Sequence, residues 1–162
     1  MQSIDQKGFS ILEVILAMAL LMIILGIATM NLMNGANRTY QNTAAQTLYA
    51  DLRSQQIKAM NGDTQGSGIT GAYGVYFQAT QYILFRGNTY SSSNPTNFAI
   101  KIPDDVKFKN ITFPNSQIIF ASGSGAFANY TTNNATSAAI TNVEGLGQKN
   151  ITLNRFGVIT SN

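Results

Sequence analysis

The sequence predicts an α+β fold in which one long N-terminal helix is followed only by strands. Three observations carry that prediction. The apolar residues of the first part of the chain run almost unbroken and then recur at helical spacing. A glycine-rich break follows at 61–74, and after it come only short β-branched and aromatic runs divided by turn residues. With 162 residues and 44% hydrophobic content, the chain fits one modest domain plus an appendage.

The helix is argued in two halves. Positions 14–30 hold seventeen residues without a charge, and with 9–12 they approach the roughly 20 residues that cross a bilayer. Beyond Met33 the chain turns polar. There Ala45, Leu48, Leu52, Ala59 and Met60 recur at intervals of three, four and seven, which describes one face of an amphipathic helix. A single helix over 9–60 is therefore expected, its second half carrying a sheet.

The break at 61–74, NGDTQGSGITGAYG, contains five glycines and reads as a loop that reverses the chain. Strands are expected at 75–78, 81–86, 98–102, 106–113, 117–121, 138–143, 149–153 and 157–160, forming one antiparallel sheet or meander. At 106–109 the alternation is legible: Val106 and Phe108 should face the core, and Lys107 and Lys109 water.

Composition removes whole classes of chemistry. The chain has no Cys and no His, which excludes disulfides, thiolate and imidazole catalysis and most zinc sites. Serine has no histidine partner for a triad, so no enzymatic activity, cofactor or metal is expected. Asp104 and Asp105 are an adjacent carboxylate pair that calcium or acid-base chemistry could use, but after Pro103 they read as a turn. The GSGITG run at 66–71 lacks the lysine and the strand-to-helix setting of a phosphate loop. Lys and Arg number 10 against 7 for Asp and Glu, an excess too small and dispersed to assign a nucleic-acid partner.

The apolar segment has two plain readings, a cleaved secretory signal and a signal anchor. The first needs a small-residue cleavage site after the apolar core, and 31–40 offers a poor one. The second leaves Gly8-Phe9 and Glu13 unexplained. A carboxylate inside a membrane helix costs roughly 2.5–3.5 kcal/mol on insertion scales, so Glu13 calls for a partner. Cleavage between Gly8 and Phe9 would create an amine one helical turn away, and a neighbouring copy's amine would suit Glu13.

The stretch KGFSILEVILAMALLMIILGIA, residues 7–28, resembles the class III signal of type IV prepilins and type II secretion pseudopilins. The resemblance implies a pilin-like fold with a leader at 1–8 ending in Lys7 and Gly8, cleavage at Gly8-Phe9 and N-methylation of Phe9. Glu13 becomes the fifth mature residue and an assembly residue. It further implies a transmembrane, filament-core helix at 9–33 and a periplasmic or extracellular globular head at 34–162. The implied partners are other pilin or pseudopilin subunits, the prepilin peptidase and the inner-membrane assembly platform, with a single-pass inner-membrane stage before assembly. Ala17, Ala19, Gly26 and Ala28 are candidate points of close helix approach. One departure is Met30, where many major pilins carry a helix-bending proline; the first proline here is Pro95.

The runs SQIIFASGSGAF at 116–127 and KNITLNRFGVI at 149–159 are similar to the GspH/FimT-like branch of minor pseudopilins and minor pilins. That similarity implies a minor structural subunit, or alternatively a tip or DNA-uptake subunit whose head binds DNA or an exported substrate through the loops at 61–74 and 123–138. Arg53, Lys58, Arg86, Lys101, Lys107, Lys109 and Arg155 would be the candidate DNA contacts, although their spacing along the chain does not gather them. The calcium site of major pseudopilins is not carried over, because Glu144 is the only acid after Asp105.

Overall fold

A computed structural model describes residues 10–131, 136–142 and 147–161, with the backbone alone at 30–37 and 142. Helix α1 (Ile11–Met60) is followed by β1 (Tyr73–Phe77), β2 (Gln81–Arg86), β3 (Phe98–Lys101), β4 (Val106–Lys109) and a 3-10 turn at Pro114–Ser116. Then come β5 (Gln117–Phe120), β6 (Ser137–Asn142), β7 (Gln148–Leu153) and β8 (Ile159–Ser161). This is the expected α+β, pilin-like order. The chain divides into two compact units, Met1–Ala36 and Asn37–Asn162.

Both ends of α1 follow from local sequence. Ser10 sits at the N-cap: its Oγ accepts the Leu12 N–H at 3.3 Å, and its carbonyl accepts from Glu13 and Val14. Glu13 stands three residues on, the spacing of a capping box. At the other end Gly62, at φ +63°, turns the chain; its N–H donates to Ala59 O at 3.3 Å and that of Asp63 to Lys58 O at 3.0 Å. That Schellman pattern uses the glycine because an L side chain is strained in this left-handed conformation.

The second unit builds its core on one stripe of α1. Ala44, Ala45, Leu48, Leu52 and Ala59 are buried, Leu48 and Leu52 completely, and burying each leucine is worth about 1.5–3 kcal/mol. Met60, expected on the same stripe, is 48% exposed. Each step along a helix turns about 100°, so with Ala59 facing inward its neighbour reaches the rim.

The strands form two four-stranded antiparallel sheets rather than one. The first has the order β3-β2-β1-β5 and the second β4-β6-β7-β8. The expected strand at 106–113 stops at Lys109 because Asn110 adopts φ +51°, which breaks the extended run. The chain then returns through Pro114–Ser116, so that β5 pairs with β1 and not with β4. Val106 and Phe108 are buried and Lys109 is exposed, as alternation required.

A single hydrophobic cluster joins the stripe of α1 to residues of both sheets, including Val75, Phe77, Ile118, Phe108, Ile140 and Ile151. Phe77 of the first sheet meets Phe108 of the second edge-on at 5.4 Å between ring centroids. All four residues of β5 are buried, because the first sheet is covered on both faces. On its outer face Tyr90, from the connection after β2, stacks on Tyr76 at 4.1 Å and meets Phe85 edge-on.

Candidate functional site

The N-terminal segment has no cover of its own. Every side chain from Ser10 to Thr29 is exposed, and Ile11–Thr29 is long and apolar enough to cross a membrane. Its one hydroxyl beyond Ser10 is satisfied within the helix, since Thr29 Oγ1 donates to Leu25 O at 2.8 Å and Gly26 O at 2.9 Å. The backbone is likewise hydrogen-bonded along the helix, so nothing but Glu13 resists an apolar solvent. Gly26 has no heavy atom within 4 Å of where a Cβ would stand, which leaves the helix backbone approachable there.

Glu13 lies in the first turn of α1, where the helix dipole favours a carboxylate. The Ser10-x-x-Glu13 spacing is the sequence signal for this local role, which is separate from the assembly role expected of Glu13. The processing residues Lys7, Gly8 and Phe9 lie outside the described residues, as does Glu144.

In the second unit, Gln56 organises a constrained polar junction. The residue is 5% exposed, and its Nε2 donates to Gly125 O at 3.0 Å and to Gly157 O at 2.9 Å. Its Oε1 accepts from Arg53 Nη1 at 2.7 Å. Gly125 and Gly157 are both buried with positive φ. A Cβ on Gly157 would lie 2.5 Å from Gly125 O, and one on Gly125 would lie 2.5 Å from Met60 Cγ. Gly123 N–H adds a bond to Ala59 O at 2.9 Å, satisfying a carbonyl at the helix end.

Two of the scattered cations belong to segments that meet at this junction. Arg53 bonds Gln56 directly, and Arg155 lies two residues before Gly157 with its guanidinium 4.7 Å from the Phe156 ring centroid. Phe156 is 66% exposed. The other candidates go elsewhere. Arg86 Nη2 donates to Ile69 O, while Lys101 ends β3 in the first sheet and Lys107 and Lys109 lie on β4 in the second. Asp104 and Asp105 are exposed in a turn closed by Val106 N–H to Pro103 O at 2.9 Å.

Gln56 was absent from the sequence expectation although its position advertises it. Half-way along the seven-residue interval from Leu52 to Ala59, the buried stripe must pass 55 or 56, and both are glutamine. A polar residue at a stripe position signals a buried hydrogen-bonding role.

A second polar contact ties α1 to the first sheet: the Tyr82 hydroxyl donates to the Asp51 carboxylate. Burial first, then the hydrogen bond and charge of Asp51, push the Tyr82 phenol well above the ordinary tyrosine range. Tyr73, which donates to Asp63 O at 2.9 Å, is shifted upward too, by burial and then by the charge of Asp63.

Residues 4–29 match the family described as the prokaryotic N-terminal methylation motif. The chain thus carries the signal of type IV pilin-like proteins, and its exposed apolar helix fits a membrane-anchored protein of that kind. No curated protein and no solved structure matches it.

Proposed function

We propose that this protein is a structural, minor subunit of a type II secretion pseudopilus or type IV pilus, of the GspH/FimT-like branch. The observation that carries the reading is the coincidence, within 4–29, of the methylation motif and an apolar helix whose side chains are all uncovered from Ser10 onward. A helix of that kind is stable in lipid and, after extraction, against other helices of the same kind. In this reading the peptidase cuts at Gly8-Phe9 and methylates Phe9, and 1–8 is lost. The segment 9–33 enters the filament core, and the head at 34–162 stays periplasmic or extracellular. The protein turns over no substrate; its work is assembly.

Mass spectrometry of the mature N-terminus tests the proposal in cells that hold a prepilin peptidase. The expected species begins at an N-methylated Phe9, and Gly8→Leu leaves the longer chain. An unprocessed wild-type N-terminus in such cells overturns the reading.

A second reading, a subunit whose head binds DNA, is favoured by the Gln56 junction. Arg53, bonded to Gln56, and Arg155 with the exposed Phe156 ring, just before Gly157 in the chain, would supply phosphate contacts and a stacking surface. Retention on DNA should fall with added salt and fall further in Arg53→Ala and Arg155→Ala. Retention indifferent to both substitutions dismisses it.

A further inference from the structure

A cavity of ≈ 110 Å³ opens between the end of α1 and the first sheet, lined by Gln55 and Lys58 of the helix, Leu84 and Phe98 of the strands, and Gln65 and Thr96 of the loops. The volume is several times the roughly 10–15 Å³ that one water occupies by this measure. Gln55 is 3% exposed, yet its Oε1 has no hydrogen-bond partner. Among the described residues the other buried side-chain atoms without a partner are Arg86 Nε and Asn97 Oδ1. Neither residue lines the cavity. Buried polar groups are rarely left unpaired, so the Gln55 oxygen on the cavity wall points to something polar that completes it.

The chemistry of the lining selects the occupant. Gln55 Oε1 requires a donor, whereas the Lys58 ammonium offers three donors and requires acceptors. An anion would satisfy Lys58 and face the Gln55 oxygen with a like partial charge. A cation would satisfy Gln55 and meet Lys58. An apolar guest would leave both unpaired. A neutral polyhydroxyl ring satisfies both, because each hydroxyl donates and accepts, and Gln65 and Thr96 bring further groups of mixed character. Phe98 is 64% exposed and Leu84 half-buried, so the cavity also has an apolar wall for the C–H face of such a ring.

We infer that this cavity is a binding site for one neutral sugar unit, held by Gln55 and Lys58 against Phe98. The site is independent of the filament reading: it would make the head a saccharide-binding module whatever the chain assembles into.

The test is titration of the full chain in detergent micelles with N-acetylglucosamine, glucose and inorganic phosphate, followed by amide shifts in two-dimensional NMR. At least one of the two sugars is expected to give saturable shifts at millimolar concentration, centred on the Gln55 side-chain amide and the backbone of Thr96 and Phe98, while phosphate gives none there. Gln55→Leu and Phe98→Ala should each weaken sugar binding at least tenfold, and Phe98, being exposed, can be changed without disturbing the fold. Saturation by phosphate instead of sugar makes this an anion site and overturns the inference. Silence toward all three probes, with a folded spectrum, leaves a water-filled cavity and overturns it too.

Discussion

The side-chain amide of Gln56 reaches the carbonyl oxygen of Gly157 at 2.9 Å, joining the last turns of α1 to the turn before the final strand, 101 positions away in sequence. The same nitrogen holds Gly125 O, so one buried side chain secures two loops that have no regular structure of their own.

Gln56→Leu should therefore cost more than an ordinary core substitution of similar size. Two buried carbonyls lose their donor, at about 1–3 kcal/mol each, for a total of about 2–6 kcal/mol. Urea unfolding of the full chain in micelles, followed by near-ultraviolet circular dichroism, measures it. A loss below 1 kcal/mol would mean that water replaces the amide freely.

Two glycines at nearly equal φ separate backbone strain from crowding. Gly123, at φ +80°, has open space around a notional Cβ, so Gly123→Ala should cost about 1–2 kcal/mol, the strain alone. Gly157, at φ +81°, meets Gly125 O at 2.5 Å and the Gln56 amide as well, so Gly157→Ala should cost about 2–4 kcal/mol. Equal melting temperatures for the two variants would remove the crowding argument.

The tyrosine at 82 sets a pH dependence whose sign is fixed by its upward shift. The folded chain keeps the Tyr82 proton above the ordinary value, while the unfolded chain releases it near pH 10. Above that point the unfolded state binds fewer protons, so this contribution is complete at neutral pH and declines as pH rises beyond about 10. Tyr82→Phe should flatten part of the alkaline decline and lower stability at neutral pH by about 1.5–3 kcal/mol through loss of the bond to Asp51. Tyr73 shifts in the same direction and leaves a residual slope. Denaturation curves across neutral and alkaline pH check both statements.

For Glu13→Val, insertion into the membrane should be intact or improved, since a carboxylate is removed from an apolar helix. Incorporation into filaments should drop several-fold, read by shearing filaments from cells and blotting. Undiminished incorporation would assign Glu13 to the first turn of α1 alone, where the dipole already favours it.

What the sequence determined by itself is whatever depends on neighbours in the chain. The apolar run, the amphipathic stripe through Leu48 and Leu52, the glycine stop at Gly62 and the alternation of Val106 and Phe108 are local patterns, and local periodicity reads them. Strand existence was legible for the same reason, to within a few residues. The tertiary structure alone decided the division into two sheets, because whether β5 pairs with β1 or β4 is a contest between distant edges that no window of sequence contains. It also decided the meeting of Gln56 with Gly125 and Gly157. The orphaned oxygen of Gln55 belongs with these: a glutamine on a helical stripe is visible in the chain, but whether its partner is backbone, solvent or a sugar is set by what the folded sheet brings opposite it.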